Sequence, residues 1–116
     1  KSDMTRTFFP CGPAKQFSEM YRILKEVHEK TMDFIKSGKT GKEIHGYAAG
    51  LLKKKGLDKY FIHGLGHGVG IDVHEKPVLN SKSEDIIQKG CVFTVEPGIY
   101  IPNLGGIRIE DTVILD

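Results

Sequence analysis

The sequence predicts a single α+β domain in which two helices cover one face of a mostly antiparallel sheet. Three observations predict it. Two stretches in the first half repeat apolar residues at helical spacing, and the second half changes to short apolar runs broken by glycine and proline. Strand-like and helix-like segments also fail to alternate regularly, which argues against a parallel βαβ sheet. At 116 residues the chain has room for one domain with a modest core.

Thr5 to Phe9 reads as a short strand, closed by Pro10, Gly12 and Pro13. Phe17, Met20, Tyr21, Leu24, Val27, Thr31, Phe34 and Ile35 then form one stripe of a first helix, which Gly38 ends. Thr40 and Glu43 are spaced as a T-x-x-E capping box and start a second helix, with Ile44, Tyr47, Ala48, Leu51 and Leu52 on its apolar side. Gly56 stops it, just after Lys53, Lys54 and Lys55. Tyr60 to His63 and Val69 to Val73 read as strands around a glycine-rich bend, and Asn80 to Lys89 as a polar loop. Three further strands follow, Cys91 to Val95, Ile99 to Pro102 and Ile107 to Ile114, the last two joined into a hairpin through Asn103, Leu104, Gly105 and Gly106.

Composition narrows the function classes. Lys and Arg number 17 against 15 Asp and Glu, a net charge of +2, too close to balance to favour nucleic acid or an anionic membrane. The three successive lysines read as a solvated helix end. No apolar run approaches the roughly 20 residues of a membrane span. Cys11 and Cys91 form no C-x-x-C pattern and read as two reduced thiols of a cytoplasmic protein. The chain begins at Lys1 without an initiator Met, so an upstream part is expected to be missing.

Four separated stretches each hold a side chain suited to a divalent ion: Asp3, His67, Glu96 and Glu110. Such ligands act only once folding gathers them, and three carboxylates gathered without a cation would be costly. Glu96 ends the apolar run Val92 to Val95 and precedes Pro97 and Gly98, which interrupt a ladder and re-aim the chain. In the last strand Arg108, Glu110 and Thr112 share one face, and Ile107, Ile109 and Val113 the other. His63, His67 and His74 lie in one segment where Gly64, Gly66, Gly68 and Gly70 oppose a helix, so a bend brings imidazoles together in different roles: ligand for one, proton carrier for another. His28 and His45, on the helices, read as surface or satisfied side chains.

These motifs carry a resemblance. HGLGHGVGIDVHEKP, VFTVEPGIYIP and GGIRIEDT, preceded by SDMTRTF, resemble in order the carboxy-terminal part of the pita-bread metallopeptidases. EPGIY and RIEDT resemble the proline-specific branch, Xaa-Pro dipeptidases (prolidases) and Xaa-Pro aminopeptidases. The resemblance implies a curved, mostly antiparallel sheet with the two helices on its convex face, and residues 1–116 as the carboxy-terminal part of the catalytic domain. It also implies hydrolysis of the Xaa-Pro bond, in dipeptides or at peptide N-termini, by a water bridging two divalent metal ions (Mn, Co or Zn).

Residue by residue, it implies Asp3, His67, Glu96 and Glu110 as metal ligands. His63 and His74 would contact substrate and shuttle protons, Glu96 would also relay a proton, and Arg108 would stand near the substrate. The family's first aspartate would precede Lys1, so this chain alone is expected to hold one metal position well, the other weakly, and to be a poor peptidase. The partner expected is a short proline-containing peptide, with a homodimer left open. Two rivals are a methionine aminopeptidase of the same fold and a metal-free peptide-binding module. The second would replace ligand positions with other residues, whereas every ligand position within this stretch carries a ligand.

Overall fold

The structure, a computed structural model, describes residues 4–8, 14–69 and 75–116. Strand β1 (Met4–Phe8) is followed by α1 (Ala14–Phe34) and α2 (Gly41–Lys54), then a 3₁₀ turn (Asp58–Tyr60). Five strands complete the described elements: β2 (Gly66–Gly68), β3 (Glu75–Leu79), β4 (Val92–Val95), β5 (Gly98–Ile101) and β6 (Gly105–Ile114). They form one sheet in the order β1-β6-β4-β2-β3, with β5 also paired to β6, and every described pairing is antiparallel.

The helices form where their stripes predict. Phe17, Met20, Leu24 and Val27 on α1, Ile35 just beyond its end, and Ile44, Ala48 and Leu52 on α2 are buried in one core with Leu65, Leu79, Phe93, Val95, Ile99, Ile107 and Ile109 from the sheet side. Burial of this apolar face, more than helix propensity, holds the two layers together. The polar exceptions pair off. Thr31 Oγ1 donates to the Val27 carbonyl at 2.7 Å, and His28 Nε2 lies 2.9 Å from Asp111 Oδ2 across the helix–sheet interface.

The start of α2 is closed on every side. The Thr40 hydroxyl accepts from the Glu43 N–H at 3.1 Å, and the Glu43 carboxylate accepts from the Thr40 N–H at 3.1 Å, completing the capping box. The polar loop supplies the remaining acceptors: Gly41 N–H donates to the Asp85 carbonyl and Lys42 N–H to the Ser83 carbonyl, both at 2.8 Å. Gly41 itself has no room for a side chain, since a Cβ there would run into the Val78 carbonyl oxygen.

One expectation is corrected, one falls almost wholly outside the described residues, and one strand was not expected. Tyr60 to His63 is not a strand: Tyr60 and Phe61 donate backward to Leu57 and Asp58, at 3.0 and 3.1 Å, in local turn bonds that win over the β tendency of the aromatic residues. The strand expected from Val69 to Val73 lies, apart from Val69, outside the described residues; Gly66–Gly68, just before it, is a strand. Glu75–Leu79 forms a strand that the sequence reading had not identified; β3 ends the sheet order, and an edge tolerates Pro77.

Candidate metal and substrate site

β4 and β5 lie end to end along the same side of β6. Val95 pairs with Asp111, and beyond the interruption Gly98 pairs with Arg108, without a slip in register. The Ile109 N–H donates to the Pro97 carbonyl at 3.1 Å, so the proline contributes an acceptor to the ladder although it cannot donate. Glu96 therefore falls directly opposite Glu110, with Thr94 and Thr112 before the pair and Arg108 after it on the same face. Asp111 points the other way, to His28 and the helices.

β2 brings an imidazole to this face. His67 stands between Gly66 and Gly68 because the backbone passes very close to its neighbours there. A Cβ on Gly66 would run into the Thr94 carbonyl, and one on Gly68 into that of Lys76. His67 Nδ1 lies 2.9 Å from the Gly68 carbonyl oxygen, so in a neutral ring that nitrogen carries the proton and Nε2 is left as the donor atom for a ligand. Nε2 is 3.5 Å from Glu96 Oε2. Two atoms each about 2.1 Å from one ion would stand roughly 3.0–3.4 Å apart, so the spacing suits a shared divalent cation. The imidazole and carboxylate also have the donor chemistry of Mn, Co or Zn, and Glu110 adds a second carboxylate opposite Glu96.

A cleft of about 390 Å³ opens over these groups, lined by His63, His67, Val78, Asn80, Glu96 and Arg108 with Gly64 and Gly66. His63 repeats the arrangement of His67: its Nδ1 is 2.7 Å from the Gly64 carbonyl oxygen, and Nε2 is buried without a hydrogen-bond partner among the described residues. Gly98 makes this packing feasible, because a Cβ there would come within 2.9 Å of both His63 Nε2 and the Tyr100 hydroxyl. Burial raises the Tyr100 hydroxyl above its ordinary pKa, against the charge and hydrogen bond of Arg108, while the Glu96 charge adds to the rise.

The structure thus brings His67, Glu96, His63 and Arg108 to one cleft and sets Glu110 across from Glu96 on the same face. Asp3 and His74 lie outside the described residues. Among the described residues no three of His, Cys, Asp and Glu stand together as a metal-binding group. Thr94 and Tyr100 were missed as site residues. The signal was present in the alternation Thr94, Glu96, Gly98, Tyr100, which puts all four on one face of a strand that continues through its own interruption.

An antiparallel sheet backed by two helices thus carries carboxylate and imidazole side chains over one cleft. The profile of metallopeptidase family M24 matches residues 1–116, and the chain belongs to that family. It is 45% identical over 114 residues to an Xaa-Pro dipeptidase of Pyrococcus furiosus, covering 98% of this chain and 33% of that protein. The structure superposes on prolidase from Pyrococcus furiosus with a TM-score of 0.89, covering 98% of this chain and 34% of that one at 45% identity. For the X-Pro aminopeptidase from Thermotoga maritima the TM-score is 0.87 at 38% identity, with 97% and 32% covered. The fold is the pita-bread fold of the prolidases, and the chain spans about a third of the length of the curated relatives it matches.

Proposed function

We propose that this chain is part of a metal-dependent peptidase that cuts the bond before proline, with dipeptides as the first substrates to try. The observation that carries the reading is the contact of His67 Nε2 with Glu96, which stands in register opposite Glu110, in a chain matched along its length by a metallopeptidase family. In this reading Asp3, His67, Glu96 and Glu110 hold two divalent ions, Mn, Co or Zn. When bound, such ions acidify a water and polarise the scissile carbonyl.

The chain's own groups supply the remainder. Glu96 accepts a proton from the attacking water and passes it toward the leaving nitrogen. His74 donates to the developing oxyanion. His63, with Nδ1 tied to Gly64, offers Nε2 as an acceptor to a substrate N–H. Arg108, joined to Tyr100 at the cleft, offers a cation to the substrate's carboxylate end. A proline imide nitrogen has no N–H, so its ring is accepted by shape.

Dipeptidase is preferred to aminopeptidase because the relatives at 45% and 43% identity bear that name, against 38% for the aminopeptidase. Cys91 is a free thiol, which fits a cytoplasmic location. A homodimer is compatible with this reading.

The test compares Met-Pro with Met-Ala hydrolysis by the full-length protein, with Mn²⁺ or Co²⁺ and after chelation. Proline-dependent cleavage that chelation abolishes is expected. Equal cleavage of both dipeptides, or cleavage indifferent to chelator, overturns the reading.

A further inference from the structure

The ladder between β2 and β4 is regular on either side of the imidazole. Val69 N–H donates to the Val92 carbonyl at 3.0 Å and Glu96 N–H to the Leu65 carbonyl at 2.7 Å, which sets His67 opposite Thr94. There the Thr94 hydroxyl enters the bonding: Oγ1 accepts from the His67 N–H at 3.1 Å. A backbone N–H can only donate, so the hydroxyl's own proton must point elsewhere. It points to Glu96, whose Oε2 lies 2.8 Å from Oγ1. Thr94 is only 4% exposed, so solvent offers little competition for either bond. Gly66 closes the other side, with Thr94 Oγ1 only 3.1 Å from where a Cβ would stand.

One hydroxyl therefore joins the strand of the imidazole to the carboxylate of the facing strand. We propose that Thr94 is the positioning residue of this centre, fixing the rotation of the Glu96 carboxylate relative to His67, the two groups that would hold a divalent ion. This rests on the reading of His67 and Glu96 as metal ligands. Without the hydroxyl, the carboxylate keeps only the longer contact to His67 and can rotate about its terminal torsion, which has broad wells. The ion would then have to order it on binding. Outer partners of metal ligands typically account for about 10- to 100-fold in affinity.

The experiment measures Mn²⁺ affinity of the full-length protein by chelator competition, the visible spectrum of the Co²⁺-loaded form, and thermal unfolding of the metal-free form. Thr94→Val removes the hydroxyl and keeps the shape; Thr94→Ser keeps the hydroxyl. Thr94→Val should weaken Mn²⁺ binding at least about tenfold and shift the Co²⁺ bands. Thr94→Ser should match the wild type in both. A merely structural role would lower the melting temperature of the metal-free protein and leave affinity and spectrum alone, which overturns the proposal. Equal loss in Thr94→Ser also overturns it. Should Thr94→Val not fold, Thr94→Ala against Thr94→Ser makes the same comparison. A wild-type protein that takes up no metal would instead overturn the underlying reading.

Discussion

His28 Nε2 and Asp111 Oδ2 meet 2.9 Å apart between α1 and β6, one residue along the strand from Glu110 and on the opposite face of the sheet. The side chains are 9% and 11% exposed, so the contact is shielded from water, and His28 Nε2 sits off the line of a hydrogen bond to the carboxylate. It ties the helix layer to the strand that carries the candidate ligand.

Removing Asp111 takes away the carboxylate that faces His28 Nε2 in a buried setting. Asp111→Ala should cost about 1–3 kcal/mol, because the buried imidazole loses the facing carboxylate and a gap opens at the helix–sheet interface. Urea unfolding of the two proteins measures it. A change below about 0.5 kcal/mol, the level of a surface substitution, would show that the pair contributes nothing.

Two glycines should answer an alanine substitution in opposite senses. Gly66→Ala drives a methyl into the Thr94 carbonyl and should cost about 3 kcal/mol or more, since both partners are backbone. Gly50, inside α2, has nothing within 4 Å of its would-be Cβ, so Gly50→Ala should stabilise by about 0.5–1 kcal/mol. Denaturant midpoints decide both, and a shift of the same sign in both variants would refute the packing argument.

How much of this was legible depends on the range of the interaction concerned. The helices were readable because their signals are local: the stripe from Phe17 to Ile35 and the Thr40–Glu43 box fix two elements without reference to the sheet. β3 was hidden because Glu75, Lys76 and Pro77 suppress every local strand signal, and only its place at the edge makes them acceptable. Phe61 misled for the opposite reason: an aromatic residue suited to a strand is used to fill the space between His45 and His63, with ring centres at 5.0 and 5.3 Å. Alternation alone put Glu110 with Arg108 on one face. That Glu96 opposes Glu110 required the register across Pro97, which no local pattern carries.

The same cluster yields a pH dependence. His45 titrates below its ordinary value, first because it is buried against its surroundings and second because of the charge on His63. The unfolded chain takes up its proton near pH 6.5 while the folded one resists. Below that point the unfolded state binds more protons, so stability is full above about pH 6.5 and is eroded on acidification. His45→Gln should flatten this part of the curve. Stability measured at intervals from pH 7.5 to 5 would give superimposable slopes if the assignment is wrong.

The two candidate roles for histidine separate on metal content. His67→Ala should lose both bound metal and activity, because Nε2 is the donor atom aimed at Glu96. His74→Ala should keep the metal and lose about 10²–10⁴ in turnover, the range of a proton-transfer residue. Elemental analysis of the purified variants distinguishes them, and equal metal loss in both would show the roles to be misassigned.

The loop between β3 and β4 has the hydropathy of a dispensable linker, the kind of stretch normally chosen for a tag, a fluorophore or a grafted epitope. Its backbone is committed elsewhere. Ser83 and Asp85 receive the first N–H groups of α2, Ile87 N–H donates to the Lys39 carbonyl at 2.8 Å, and the Asp85 carboxylate holds the Val78 N–H at 3.0 Å. Val78 in turn lines the cleft. Cargo inserted between Ser83 and Ile87 would be felt at the first turn of a helix and at the wall of the site together, so labelling schemes for this protein should leave that loop intact.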